Sequence, residues 1–316
     1  MKIAVAIPSY KVQNHVLDVI ARMPPQVRRI YVIDDKCPNG SGELVRQQCS
    51  DPRVRVIFHE ENQGVGGAVR TGYQAALDEG MDIVVKVDGD GQMDPALIPR
   101  FTRAIERGQA DYTKGNRFHR PESLQGMPPV RLFGNAVLSF IAKFSTGYWD
   151  LFDSTNGYVA AHHLVLRQIP LDRVARRYFF ESDLLYHLYL VRAVVHEVPM
   201  SARYEDEHSS LRPGVVWAEF AVRHARNILR RFFYTYFLRD FSPASVELLV
   251  APPAITFGAV FGAWRWIELS RRGEEASAGT VMLAALPIIL GVQMLLSFLN
   301  FDVQHVPRVP RARERD

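Results

Sequence analysis

The stretch DIVVKVDGDGQMDP, residues 82–95, ends a strand-like apolar run in a cluster of acidic residues. Asp88, Asp90 and Asp94 stand close together beside two glycines and a glutamine. Like charges at this density repel one another, and carboxylates beside apolar surface are costly unless a cation compensates them. The stretch alone fits either a solvated turn, in which Asp and Gly are common, or a site for Mg²⁺ or Mn²⁺.

The surrounding sequence predicts the fold. Short runs rich in Val and Ile alternate with segments that have helical spacing. The predicted strands are residues 2–7, 29–34, 54–58 and 82–87, and the predicted helical segments are 13–22, 40–49 and 65–79. Such alternation is typical of right-handed βαβ crossovers, so we predict an α/β domain with a mostly parallel sheet.

Polar residues stand where three of the predicted strands end, at 8–10 (PSY), 34–35 (DD) and 88–90 (DGD). Ligands of parallel α/β sheets bind at the carboxyl ends of the strands. This coincidence favours a metal site over a solvated turn. The glycine-rich segment 62–72 is weaker evidence, because it matches neither GxGxxG nor a Walker motif and its glycines would also serve close packing.

Composition excludes several classes of protein. A chain of 316 residues can form one large domain with an appendage, or two domains. Its net charge of +4 is too mild for a dedicated nucleic-acid binder. Cys37 and Cys49 cannot make a disulfide framework. The N-terminus opens directly as a strand and lacks the pattern of a signal peptide, so we expect the N-terminal domain to stay in the cytoplasm.

The C-terminal part is strongly apolar. Residues 246–267 and 280–301 are each long enough to cross a bilayer core of ~30 Å, and the second carries no formal charge. The alternative is a hydrophobic hairpin packed on the soluble domain, but the internal prolines of the first stretch are better tolerated in a membrane helix. Residues 213–240 combine arginines at helical spacing with an aromatic face, which predicts a helix lying among lipid headgroups.

Arginines flank both predicted spans. Arg230 and Arg231 precede the first, and Arg308, Arg311 and Arg313 follow the second. By the positive-inside rule both flanks face the cytoplasm. The sequence therefore predicts a catalytic domain at 1–211, a juxtamembrane helix at 212–240, and a transmembrane hairpin with a short cytoplasmic tail at 241–316.

The chain resembles a known enzyme family over about residues 1–211. The segments that carry the resemblance are PSY (8–10), VIDDKCPNGSGE (32–43), NQGVGGAVRTGYQAAL (62–77), VDGDGQMDP (87–95) and KGNRF (114–118). They are similar to family 2 glycosyltransferases, and most to the polyprenyl-phosphate group that includes dolichol-phosphate mannosyltransferases. The resemblance implies a Rossmann-like GT-A fold, Mg²⁺ or Mn²⁺, and inverting transfer from UDP- or GDP-hexose to undecaprenyl or dolichyl phosphate at the cytoplasmic face of a bacterial inner membrane.

The resemblance also implies roles for individual residues. The nucleotide-binding positions are Pro8, Tyr10, Asp34, Asp35 and Asp88. The metal ligands are Asp88, Asp90 and Gln92. The residues near the acceptor phosphate are Arg117, Arg131, Arg203 and Ser209. The expected catalytic residues are Asp90, Asp183, Arg117 and Arg131, with Asp183 facing the donor sugar.

The identity of the acceptor stays open at this point. A lipid phosphate is already ionised and needs no strong base, so Asp183 would orient the donor, whereas a sugar hydroxyl would need a base. A scaffold that only binds nucleotide sugars is disfavoured because Asp88, Asp90 and Gln92 are all present. Segments 155–160 (TNGYVA) and 205–211 (EDEHSSL) depart from the family pattern. The sequence leaves open the sugar, the nucleotide, the downstream glycan and the oligomeric state, a homo-oligomer included.

Overall fold

The computed structural model describes residues 1–119, 129–200 and 213–311. Arg203 and Ser209 lie outside these ranges, and so does the side chain of Arg131, whose backbone belongs to a helix. The chain forms two compact units. One comprises Met1–Ile228 with the chain from Pro307 onward, and the other comprises Leu229–Val306.

Strands and helices alternate through the first unit. The strands are β1 (Ile3–Ser9), β2 (Val27–Asp34), β3 (Val54–Phe58), β4 (Ile83–Lys86), β5 (Tyr112–Asn116), β6 (Val159–His162) and β7 (Val195–Pro199). The helices up to the hairpin are α1 (Val16–Ala21), α2 (Ser41–Gln48), α3 (Gly64–Asp78), α4 (Ile98–Glu106), α5 (Pro129–Thr146), α6 (His163–Gln168), α7 (Phe180–Leu190) and α8 (Pro213–Phe233). The predicted α/β class is confirmed.

The seven strands form one sheet in the order β3-β2-β1-β4-β6-β5-β7. β1 pairs in parallel with β2 and β4, β2 with β3, and β5 with β7, while β6 runs antiparallel to both neighbours. Ser9 at the end of β1 pairs with Asp34 at the end of β2, and Ala6 pairs with Lys86 at the end of β4. The three polar segments of the sequence therefore lie at one edge of the sheet.

The core explains why the strands read as continuous apolar runs. Val5, Ile7, Val32 and Val85 are fully buried, because helices cover both faces of the central strands. Gly72 on α3 permits close packing there, since a Cβ at this position would lie 2.6 Å from the Cβ of Ala6. The core thus holds the strand ends rigidly at the edge where the polar segments meet.

The second unit is a pair of long apolar helices, α9 (Pro243–Arg272) and α10 (Ala278–Gln304). Both are long and apolar enough to cross a membrane, and they contain the predicted spans 246–267 and 280–301. Small residues bring the helices together, since a Cβ on Gly258 would lie 2.5 Å from the carbonyl oxygen of Ala284. Near the C-terminal end of α10, the fully buried Asp302 accepts two hydrogen bonds from Arg231, at 2.7 and 2.8 Å, and one from Tyr236.

Candidate active site

A cavity of about 1120 Å³ opens at the carboxyl ends of β1 and β4. The predicted residues that line it are Pro8, Tyr10, Asp35, Asp88, Asp90, Gln92 and Arg117. Asp34 and Asp183 do not belong to the described lining. The fold thus gathers residues from four sequence segments around one space, and it gives the other two carboxylates different surroundings.

Asp34 and Asp35 are neighbours with separate roles. The buried carboxylate of Asp34 accepts backbone hydrogen bonds from Cys37 at 2.8 Å and Gly42 at 2.7 Å, so it shapes the turn between β2 and α2. Asp35 accepts backbone hydrogen bonds from Gln63 and Gly64, both at 2.8 Å. Asp35 therefore fixes the first turn of α3, which forms one wall of the cavity.

Asp88, Asp90 and Asp94, the three carboxylates that follow the apolar run of residues 83–87, have different surroundings. Asp88 and Asp90 line the cavity, and one oxygen of Asp90 accepts the backbone N–H of Gln92 at 3.0 Å. Gly91 has a φ of +85°, which lets the loop turn back so tightly. Asp94 instead accepts the N–H of Ala96 and caps the following helical turn. Of these three carboxylates, those of Asp88 and Asp90 line the cavity and that of Asp94 is not in the described lining.

Lys86 is the residue that sequence reasoning missed here. Its side chain is 2% exposed, and its ammonium lies 2.9 Å from Oδ1 of Asp88 and 3.3 Å from Oε1 of Glu181. Burial by itself would lower the pKa of Lys86, but Asp88 and Glu181 outweigh burial and raise it. The acidic crowding is thus partly relieved by a cation of the chain itself. A lysine inside the apolar run VVKV was the available signal.

Glu181 and Asp183 stand on the same helix but point to different places. Glu181 lines the cavity, whereas Asp183 accepts hydrogen bonds from the backbone of Ala175 at 2.8 Å and from the Asn227 side chain at 2.9 Å. Residues two positions apart on a helix do not share a face. Asp183 therefore ties α8 to α7, and Glu181 is the acid that α7 presents to the cavity.

Arg117 follows β5 and reaches the cavity already paired. Its Nε and Nη2 donate to the two oxygens of buried Asp153 at 2.8 and 2.9 Å, and its backbone N–H donates to the same carboxylate at 3.1 Å. This pairing holds the guanidinium rigid at the wall. Asp153 therefore orients Arg117, an arrangement that spacing alone did not predict.

The donor set of the acidic loop fits a divalent cation that arrives with phosphates. In the described ranges, no group of three or more His, Cys, Asp or Glu side chains is arranged to hold a metal by itself. Asp88, Asp90 and Gln92 offer hard oxygen ligands on one loop. Mg²⁺ at phosphate sites commonly takes one or two carboxylates and completes its shell with substrate oxygens and water. Oδ1 of Asp88 lies 2.9 Å from the ammonium of Lys86.

The mixed seven-stranded sheet, with an acidic loop at the end of β4 over an open cavity, has the GT-A type of fold. The sequence model described as "Glycosyl transferase family 2" matches residues 4–169, more than half of the chain, and the chain belongs to this family. The resemblance drawn from the sequence motifs is confirmed.

Related proteins align with about two thirds of the chain. A UDP-N-acetylglucosamine–dolichyl-phosphate N-acetylglucosaminyltransferase from Methanococcus voltae is 28% identical over 68% of this chain and 91% of its own length. An undecaprenyl-phosphate mannosyltransferase from Micrococcus luteus is 27% identical over 72% and 93%. A polyprenol monophosphomannose synthase from Mycolicibacterium smegmatis is 30% identical over 62% and 76%.

Solved structures share the fold. Glucosyl-3-phosphoglycerate synthase from Mycobacterium tuberculosis, in complex with Mn²⁺ and UDP, superposes with a TM-score of 0.54 and 18% identity over 73% of this chain and 79% of its own. Mannosyl-3-phosphoglycerate synthase from Rubrobacter xylanophilus gives a TM-score of 0.59 and 18% identity over 77% and 78%. At this identity they establish the fold of the chain and not its substrates.

Proposed function

We propose that the enzyme transfers a hexose, with inversion, from a UDP- or GDP-sugar to a polyprenyl phosphate such as undecaprenyl or dolichyl phosphate. The observation that carries the proposal is the set of relatives that align with about two thirds of the chain and are named for polyprenyl-phosphate or polyprenol acceptors. The product would be a lipid-linked monosaccharide for glycan assembly. The two apolar helices supply the membrane attachment that such an acceptor demands.

The cavity offers a separate place for each part of the donor. Pro8, Tyr10 and Asp35 stand at the ends of β1 and β2, where the nucleotide would bind. Asp90 and Gln92, with Asp88, would hold a divalent ion, which when bound neutralises charge on the diphosphate leaving group. Glu181 faces the same space from α7, where the sugar would lie.

The surroundings of the acids support a nucleophile that is already ionised. Asp183 has both oxygens engaged by Ala175 and Asn227, and Glu181 is paired with Lys86. Both carboxylates are thus already hydrogen-bonded or ion-paired, unlike a general base that accepts a proton from a hydroxyl. A phosphomonoester has a second pKa of ~6 and needs no strong base at neutral pH. Asp183 then serves as a positioning residue that fixes α7.

The acceptor phosphate needs cationic partners. We propose that the acceptor phosphate is bound by Arg117, Arg131, Arg203 and Ser209. Arg117 supports the assignment, because it lines the cavity and its orientation is set by Asp153. Guanidinium groups suit phosphate because they present paired donors.

We place both flanks of the hairpin on the cytoplasmic side. The chain after α10 returns to the first unit, where the backbone N–H of Arg311 donates to Asp111 at 3.0 Å and its Nε donates to the carbonyl oxygen of Val191. This return supports placing the two flanks on the same side of a membrane, and their arginines favour the cytoplasm. In a cysteine-free background, an external thiol reagent should label a cysteine at Ser277 and should leave one at Asp316 unlabelled. The reverse pattern would overturn this topology.

The acceptor assay tests the proposed function directly. Purified protein is incubated with Mn²⁺ or Mg²⁺, a panel of UDP- and GDP-sugars, and either undecaprenyl phosphate or undecaprenol, and the lipid products are identified by mass spectrometry. We expect a glycosyl phosphate product from one class of donor and none from undecaprenol. Equal transfer to undecaprenol or to a sugar hydroxyl would refute the polyprenyl-phosphate assignment.

A further inference from the structure

Lys86 is a buried cation in the wall of the donor cavity. It is the last residue of β4, two positions before the acidic loop, and its side chain is 2% exposed. Charged side chains are rarely buried so completely unless they are paired. Here the pairing is with two acids that both line the cavity, so the charge serves the site as well as the core.

The ammonium joins two distant parts of the chain. Asp88 belongs to the loop after β4, whereas Glu181 belongs to α7, 95 residues from Lys86. One oxygen of each carboxylate is held by the same nitrogen, at 2.9 and 3.3 Å. Without a cation there, two carboxylates would face each other across a small distance and repel, so at least one would turn away.

Gly157 shows how closely the site fits around the ammonium. A Cβ built on Gly157 would overlap Nζ of Lys86 and would lie 3.1 Å from Oδ2 of Asp88. A residue larger than glycine at position 157 would therefore displace the ammonium of Lys86. Asn156, beside it, accepts a hydrogen bond from Lys114, a second buried lysine that does not belong to the described cavity lining.

We propose that Lys86 is a positioning residue of the donor site, which holds Asp88 and Glu181 in the orientation in which they meet the nucleotide sugar. The assignment rests on the donor half of the proposed function and is independent of the acceptor. It predicts that the lysine acts before any metal or lipid is bound. Its loss should therefore weaken nucleotide binding even in the absence of a divalent ion.

The main test is Lys86→Met, which removes the charge and keeps most of the volume. Acceptor-independent binding of UDP and GDP is measured by calorimetry in chelator, and the KM for the donor sugar and kcat are measured with metal. Charge-assisted hydrogen bonds are strong enough that we expect affinity for the nucleotide that wild type binds to fall about 10-fold or more, with a matching rise in donor KM. The KM for the acceptor should change by less than about two-fold.

A second substitution distinguishes positioning from simple support of the fold. In Lys86→Met, adding Glu181→Gln removes the repulsion between the two acids, so the double variant should bind the nucleotide several-fold better than Lys86→Met alone. Lys114→Met is the comparison variant, because it removes a second buried lysine whose hydrogen bond goes to the backbone carbonyl oxygen of Asn156, while its charge also acts on Glu181. It should lower the thermal midpoint and raise the donor KM clearly less than Lys86→Met does.

A folded Lys86→Met protein with wild-type nucleotide affinity and donor KM overturns the proposal. If Lys86→Met does not fold, Gly157→Ala decides, because it keeps the charge but displaces the ammonium. Unchanged donor KM in Gly157→Ala would also overturn the proposal. Failure of the acceptor assay with undecaprenyl phosphate would refute the proposed function alone, since the calorimetric affinity for the nucleotide is measured without an acceptor.

Discussion

Lowering the pH should weaken the packing of α8 in the first unit, because His224 becomes protonated. The side chain is 3% exposed, its Nδ1 lies 2.7 Å from Oγ of Ser145 on α5, and its ring packs edge-on against Phe179 at 4.8 Å. Burial lowers the pKa of His224 to about 4, and nearby Asp183 opposes this only in part. The folded protein therefore keeps this histidine neutral at pH values where an unfolded chain would protonate it.

The sign and size of the effect follow from linkage. The unfolded chain takes up a proton on this histidine as the pH falls below its ordinary pKa of 6.5, whereas the folded protein does so only near pH 4. The contribution to the free energy of unfolding is full above pH 6.5 and is lost as the pH falls from 6.5 toward 4. Between pH 7.5 and pH 5 the expected loss is about 2 kcal/mol.

The assay compares full-length wild type with His224→Asn in detergent. The variant keeps a neutral hydrogen-bonding group near Ser145 but cannot titrate in this range. Chemical unfolding at several pH values gives the free energy of unfolding for each protein. We expect wild type to lose about 2 kcal/mol more than the variant between pH 7.5 and pH 5. Parallel pH profiles for the two proteins would show that the buried neutral histidine is not what links stability to pH here.

Three further predictions concern the metal, the acceptor and the hairpin. Asp90→Asn should lower kcat/KM at least about 100-fold while the thermal midpoint stays near wild type, and transfer that continues undiminished in excess chelator would refute the metal assignment. Arg117→Lys should raise the KM for polyprenyl phosphate about 10-fold with nucleotide affinity unchanged. Arg117→Ala should also destabilise the fold by roughly 3–5 kcal/mol, because the buried Asp153 loses its ion-pair partner; equal stability of the two variants would contradict this. Asp302→Ala should lower the free energy of unfolding by roughly 3–5 kcal/mol, because Arg231 loses its buried ion-pair partner. The loss should appear as a lower thermal midpoint in detergent, and an unchanged midpoint would show that the buried pair contributes little to stability.

The sequence by itself determined the class of fold and the place of the site. Alternation of apolar strands with helical segments is a local property, and a parallel sheet necessarily gathers its strand ends at one edge. Residues 8–10, 34–35 and 88–90 therefore meet as expected, and the chain's two longest apolar stretches form the helices that are able to cross a membrane. These inferences needed only periodicity, hydropathy and chain direction.

The tertiary structure alone decided the partner of each charged side chain. Lys86 and Glu181 are 95 residues apart, and Arg117 and Asp153 are 36 apart, so no spacing rule connects them. The motif match pointed to Asp183, but the rotation of α7 presents Glu181 to the cavity. Periodicity specifies which residues share a face of a helix. How that helix is rotated against the sheet is set by packing among residues distant in sequence, and that rotation selects which charge reaches the site.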